Sequence, residues 1–301
     1  GQAGTVLYVA TAVAFDDEMR LRIERHKAAR PSHWQTLEAP TGVGTTVAQS
    51  AATDLVLVDC LTVLANNIIA PMPEPIDADA AEAAVIEVIK NHYPDHAIRA
   101  EESGEQGASD TVWIIDPLDG TTNFLHGFPQ FCVSVGVQVK GRMEAAAVYD
   151  PMRQEIFAAA RGDGATLNDR KIRVSGRREM EYALIGTGFP FRQADSEMGP
   201  YLEMLGKVVR NTAGVRRPGA AALDLCYVAA GRLDGFWETG LKSWDVAAGS
   251  LIIREAGGIV SGLDGSENYL DSGHILCGTP KVYAGLAKLC AHEIKAILRN
   301  K

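Results

Sequence analysis

The chain has 301 residues, 47% of them hydrophobic and 22% charged. That is ordinary globular composition, enough for about two domains, and it excludes a disordered or fibrous chain. Against 29 Lys and Arg stand 38 Asp and Glu, a net charge of −9, which argues against a general nucleic-acid or anionic-membrane footprint.

The cysteines, Cys60, Cys132, Cys226, Cys277 and Cys290, are odd in number and form no C-x-x-C pair. They fit free thiols in a reducing compartment. The early apolar run over residues 5–15 is too short to span a bilayer and runs into Asp16-Asp17-Glu18. The expectation is a cytoplasmic protein with no membrane partner.

In chain order, residues 6–10 are β-branched and aromatic and predict a buried strand. Residues 16–30 predict a charged helix closed by Pro31, and residues 54–59 a second strand ending on an acid. Residues 61–69 read as a helix or a continued apolar segment. Pro71, Pro73 and Pro75 can continue neither a helix nor a central strand. They place the main boundary there, giving segments 1–75 and 76–301. Residues 77–92 carry apolar side chains at helical spacing, and Pro94 stops them. Residues 111–115 predict a strand running into Asp116. Further strands follow over 131–139, 143–149 and 155–160, with turns at Gly162-Asp163-Gly164 and Asn168-Asp169. Residues 220–230, 246–256 and 282–298 predict helices, the second ended by Gly257-Gly258.

The chemistry concentrates in Trp113-Ile-Ile-Asp116-Pro117-Leu118-Asp119-Gly120-Thr121-Thr122. A buried strand delivers two carboxylates three residues apart, and hard divalent cations such as Mg²⁺ take oxygen ligands of this kind. Pro117 stiffens the turn, so both acids and the Leu118 carbonyl can face one point. Gly120-Thr121 opens a short helix whose backbone N–H groups suit phosphate. Asp-Pro and Asp-Gly are also common turn dipeptides, the plainer reading of the same residues. Glu101-Glu102 ends a short apolar segment and Asp245 lies at a helix start. Each alone reads as a solvated loop acid or an N-cap, but together the clusters could converge on two cations.

Residues 76–301 resemble the inositol monophosphatase family of Mg²⁺-dependent, lithium-sensitive phosphatases, in its bacterial branch. The resemblance lies in Ala100-Glu-Glu-Ser103, in the stretch from Trp113 to Asn123, in Gly240-Leu-Lys-Ser-Trp-Asp245 with Ala247-Ala-Gly249, and in Glu255-Ala-Gly-Gly258. It implies an α+β fold, a layered α-β-α-β-α sandwich. It implies that Glu101, Asp116, the Leu118 carbonyl, Asp119 and Asp245 hold Mg²⁺. Thr121 would orient the attacking water, the Gly120 and Thr121 amides would cradle phosphate, and Glu238 with the Gly219-Ala220-Ala221 backbone would bind the substrate. The implied reaction is hydrolysis of a small phosphorylated polyol, myo-inositol 1-phosphate first, by metal-activated water without a covalent intermediate, in a homodimer. Fructose 1,6-bisphosphate, histidinol phosphate and 3′-phosphoadenosine 5′-phosphate are alternative substrates within the family.

Two departures stand out. The acid that partners the catalytic Thr falls on Ala78 without a gap and on Asp79 with a one-residue deletion; Asp79 is preferred. The family's leading helix and hairpin are replaced: residues 4–66 resemble part of adenosylcobinamide kinase/guanylyltransferase, a truncated α/β nucleotide-binding-like segment. The resemblance makes His26 the guanylyl acceptor and Asp59 a metal-linked acid. No G-x-x-x-x-G-K-[ST] phosphate loop precedes Val6, so the preferred reading of His26 is an exposed helix histidine among Arg22, Arg25 and Lys27. Nucleotidyl transfer by this segment and a catalytically impaired chimera remain as alternatives.

Overall fold

The computed structural model describes residues 6–13, 17–31, 34–41, 43, 55–59, 78–189 and 195–299. The helix or apolar run expected over 61–69, the proline boundary at 71–75 and Cys60 lie outside the described residues. The chain divides into two compact units, residues 1–109 and 110–301.

In the first unit, β1 (Val6–Ala10), β2 (Gln35–Glu38) and β3 (Leu55–Asp59) form a parallel sheet in the order β2-β1-β3, with α1 (Asp17–Ala29) between β1 and β2 in the chain. Tyr8 of β1 stacks on Trp34 and lies under the Arg30 guanidinium, 3.7 Å from the ring centroid. This pins the end of α1 to the central strand. Helix α2 (Ala78–His92) follows, then the hairpin of β4 (Ala97–Ala100) and β5 (Gly104–Gln106). Val88 of α2 shares a buried apolar cluster with Leu7 and Val9 of β1 and with Ala39 and Val43.

The second unit begins with β6 (Thr111–Asp119), α3 (Thr121–Leu125), β7 (Cys132–Val139), β8 (Arg142–Asp150), β9 (Glu155–Ala160), β10 (Gly164–Leu167) and β11 (Arg170–Ile172). From β6 to β11 the strands run as an antiparallel meander of nearest neighbours. A second sheet, of order β13-β12-β14-β16-β15, is built from β12 (Leu184–Thr187), β13 (Gly214–Arg216), β14 (Gly235–Glu238), β15 (Ile259–Ser261) and β16 (Ile275–Gly278). Between these sheets lie α5 (Ala221–Ala229) and α6 (Ser243–Glu255), whose side chains fill the larger core with those of both sheets. The helices approach closely because Gly249 has no side chain: a Cβ there would meet Leu225 at 2.5 Å. On the other face of the second sheet, α4 (Asp195–Asn211), α8 (Pro280–Leu289) and α9 (Ala291–Arg299) enclose a separate core around Trp237, Tyr201 and Met204. The short α7 (Tyr269–Ser272) completes the set. This is the mixed, layered α+β arrangement expected from the sequence.

Several boundaries moved. Strand β6 continues through Pro117 to Asp119 with a register break between Asp116 and Asp119. The helix expected over 282–298 is two helices interrupted at Cys290. Cys132, Cys226, Cys277 and Cys290 are free, buried thiols, as expected. Among the described residues no helix is long and apolar enough to cross a membrane.

Candidate active site

The end of β6 and the beginnings of α5 and α6 meet at one place. Oxygens of Asp116, Asp119 and Asp245 lie within 4.8 Å of one another there. Asp116 and Asp119 are buried and Asp245 is half-buried. Each carboxylate is oriented by a backbone donor. The Leu118 N–H donates to Asp116 Oδ1 at 2.9 Å, the Ala222 N–H to Asp119 Oδ2 at 2.8 Å, and the Lys242 N–H to Asp245 Oδ2 at 2.6 Å. Ala222 supplies its N–H from the first turn of α5 and Lys242 from the N-cap of α6, where no intrahelical acceptor exists and the dipole favours negative charge. Buried carboxylates gathered this closely repel one another, and an all-oxygen donor set suits a hard divalent cation.

A second group, Glu203, His292 and Glu293, also gathers within 4.8 Å. There the Lys207 ammonium lies 2.8 Å from the Glu293 carboxylate, so a cation is already supplied by the chain.

Gly120, in the left-handed conformation, caps α3, and the exposed Thr121 donates its Oγ1 proton to the Leu118 carbonyl at 2.9 Å. Asn123 is a tie that sequence reading gave no role: its amide donates to the carbonyls of Gln130 at 2.7 Å and Pro218 at 2.8 Å. That joins the start of α3 to the Gly219-Ala220-Ala221 segment. Gly219 has φ 91°, and the buried Ala220 caps α5. Glu238 ends β14. Burial, reinforced by the charges of Asp245 and Asp119 and opposed by Arg217, pushes its carboxyl up to about 8. Asp224, fully buried on α5, is likewise driven well above the carboxylate range by burial, then by Glu238 and Asp119. The Cys132 thiol donates to Asp119 Oδ2 at 3.6 Å, and burial holds it in the neutral form. Asn123 reaches Pro218, 95 positions away, and Cys132 meets Asp119 across the β6–β7 pairing; no local spacing announces such pairs.

In the first unit, Glu101 occupies the turn between β4 and β5. The buried Glu82 carboxylate holds that turn by accepting the N–H groups of Glu102 at 2.9 Å and Ser103 at 2.8 Å. Asp79 is exposed in the first turn of α2, and its charge, after burial, helps raise the Glu102 carboxyl. His26 is half-buried in the last turn of α1, and Asp59 ends β3.

Residues 76–295 match the inositol monophosphatase family. The chain belongs to that family. Residues 1–108 separately match the cobinamide kinase/cobinamide phosphate guanyltransferase family, so the two matches overlap over 76–108. The Nus factor SuhB of Pseudomonas aeruginosa is 54% identical over 214 residues, 69% of this chain and 78% of that protein. The Nus factor SuhB of Escherichia coli is 49% identical over 223 residues, 73% of this chain and 83% of that protein. Among solved structures, inositol monophosphatase from Anabaena (Nostoc) superimposes with a TM-score of 0.72 at 39% identity, over 77% of this chain and 92% of that one. An inositol-monophosphate-bound enzyme, SaIMPase-II, superimposes with a TM-score of 0.67 at 27% identity, over 74% of this chain and 87% of that one; SaIMPase-II is from Staphylococcus aureus.

Proposed function

We propose that the chain hydrolyses small phosphate monoesters in a Mg²⁺-dependent reaction, with myo-inositol 1-phosphate as its first substrate. The observation that carries this reading is the convergence of Asp116, Asp119 and Asp245 within 4.8 Å, in a chain of the inositol monophosphatase family. Those three carboxylates and the Leu118 carbonyl would hold Mg²⁺; Glu101 joins them on the family resemblance alone, as does Asp79 as the acid partner of Thr121. When bound, Mg²⁺ neutralises phosphate charge and lowers the pKa of water.

The chain's own groups do the rest. The N–H groups of Gly120 and Thr121 bind phosphate oxygens. The Thr121 hydroxyl, held on the Leu118 carbonyl, orients the attacking water. Glu238 accepts hydrogen bonds from substrate hydroxyls, which positions the ring and places the ester bond over the aspartates. The expected assembly is a homodimer, which light scattering in solution would show.

Purified protein should release phosphate from myo-inositol 1-phosphate with Mg²⁺ and not with EDTA. Asp119→Asn, which removes one charge from the cluster, should slow release by about a hundredfold or more. Absence of release, or a variant as active as the parent, overturns the reading. Fructose 1,6-bisphosphate, histidinol phosphate and 3′-phosphoadenosine 5′-phosphate in the same assay order the substrates, and Li⁺ should inhibit.

A second reading is favoured by the name Nus factor, carried by relatives at 49–54% identity: this chain serves in that role. Expression in place of a bacterium's own SuhB separates the two. If Asp119→Asn restores that role as well as the parent does, the role does not need the phosphatase chemistry.

A further inference from the structure

Beneath Glu238 lies a buried hydroxyl network that the catalytic reading does not use. Strands β12 and β14 pair in parallel as far as Thr187 and Trp237, and the next residues along, Gly188 and Glu238, pack against each other. A Cβ built on Gly188 would overlap the Glu238 carboxylate, so this carboxylate rests directly on the glycine backbone. Two hydroxyls fix that backbone. The fully buried Tyr201 of α4 donates to the Gly188 carbonyl. Thr187 Oγ1 lies 2.6 Å from the Tyr201 hydroxyl and donates to the Trp237 carbonyl at 2.9 Å. The two residues on either side of the ladder end are thereby held by one pair of hydroxyls. The Tyr201 ring is itself fixed, with Phe189 in a T-shaped contact at 6.0 Å and Trp237 at 6.1 Å.

We infer that Tyr201, with Thr187, is a positioning residue that sets substrate specificity: it fixes the Gly188 backbone on which Glu238 rests, and so the place where a substrate hydroxyl is received. The inference rests on the reading of Glu238 as the hydroxyl acceptor. It is physically economical, because buried carbonyls at a ladder end need donors, and a rigid aromatic donor supplies one with little loss of side-chain freedom. Tyr201→Phe removes one hydroxyl and keeps the ring in the core. The Gly188 carbonyl then keeps only the longer contact from Thr187 Oγ1, at 3.3 Å, and the glycine can shift away from Glu238.

The experiment compares two substrates in the full chain with saturating Mg²⁺: myo-inositol 1-phosphate, which has hydroxyls beside the ester, and p-nitrophenyl phosphate, which has none. Tyr201→Phe should raise KM for the inositol ester about three- to tenfold, the range of one lost hydrogen bond, with kcat nearly unchanged and p-nitrophenyl phosphate hydrolysis unaltered. Thr187→Val, acting on the same pair from the other strand, should give the same split. A purely structural role would lower activity on both substrates together, and that result overturns the inference, as does no change on either. Glu238→Ala separates the two levels. If it discriminates between the substrates and Tyr201→Phe does not, the positioning role fails alone. If Glu238→Ala treats both alike, the hydroxyl-acceptor reading fails and takes the inference with it.

Discussion

Gly120 stands between an aspartate of the cluster and Thr121, and its backbone explains why no other residue suits that place. Its φ is 88°, and a Cβ would come within 2.8 Å of the Gln130 carbonyl oxygen and 3.2 Å of Phe131 Cα. Both obstacles are backbone, which cannot swing aside as a side chain would. Asn123 holds that same Gln130 carbonyl from the other side. Gly120→Ala should therefore cost roughly 2 kcal/mol or more, combining left-handed strain with overpacking. It should also displace Asp119 and Thr121 together. The expected result is a lowered thermal midpoint and a fall in kcat at saturating Mg²⁺; a variant with the parent's midpoint would show that the turn relaxes freely. The acids were legible in the sequence because a strand ending D-x-x-D needs only neighbours in the chain. The Ala222 N–H on Asp119 was not, since the two residues are 103 positions apart.

At the scale of elements, legibility followed the strength of local periodicity. The meander strands are short apolar runs between clear turns, which makes β7, β8 and β9 readable. Strand β6 runs past the apolar residues 111–115 through Pro117, which the sequence presents as a turn. The chain accommodates it at the register break between Asp116 and Asp119, where ladder donation is interrupted. Helix α4 has no clear signal in the sequence: Gly199, Pro200 and Gly206 dilute its pattern, and its inward residues, Tyr201, Met204 and Val208, show their spacing only against the core they fill. The end of α6 was legible. Gly257 donates to the Arg254 carbonyl at 3.0 Å and Gly258 to the Ile253 carbonyl at 2.9 Å, the paired bonds of a Schellman ending. Gly257 has φ 87° and open space where a Cβ would go. Gly257→Ala should cost only the backbone strain, about 1 kcal/mol, and leave kcat and KM at parental values. Activity loss comparable to that of Gly120→Ala would mean that the far end of α6 is coupled to Asp245 at its beginning.

On the scale of the whole chain, the net charge of −9 takes on a local meaning, since three of the acids, Asp116, Asp119 and Asp245, gather at one site. The junction between the two family resemblances is less simple than a proline-marked boundary suggests. Residues 76–108 match both families, and Val88, within that overlap, is buried in one cluster with Leu7 and Val9 of the parallel sheet. If that cluster is one cooperative body, α2 cannot keep its protection when the sheet is disrupted. Val9 is fully buried on the central strand, and Val9→Asp puts an unpaired carboxylate there, a change worth ~3 kcal/mol or more. Hydrogen exchange then decides where the fold divides. With a cooperative first unit, the amides of residues 85–92 should exchange faster along with those of β1, by about a hundredfold for each 2.7 kcal/mol lost. With a division at the prolines, β1 would lose protection while residues 85–92 exchanged as in the parent chain, and α2 would belong with the phosphatase rather than with the sheet it covers.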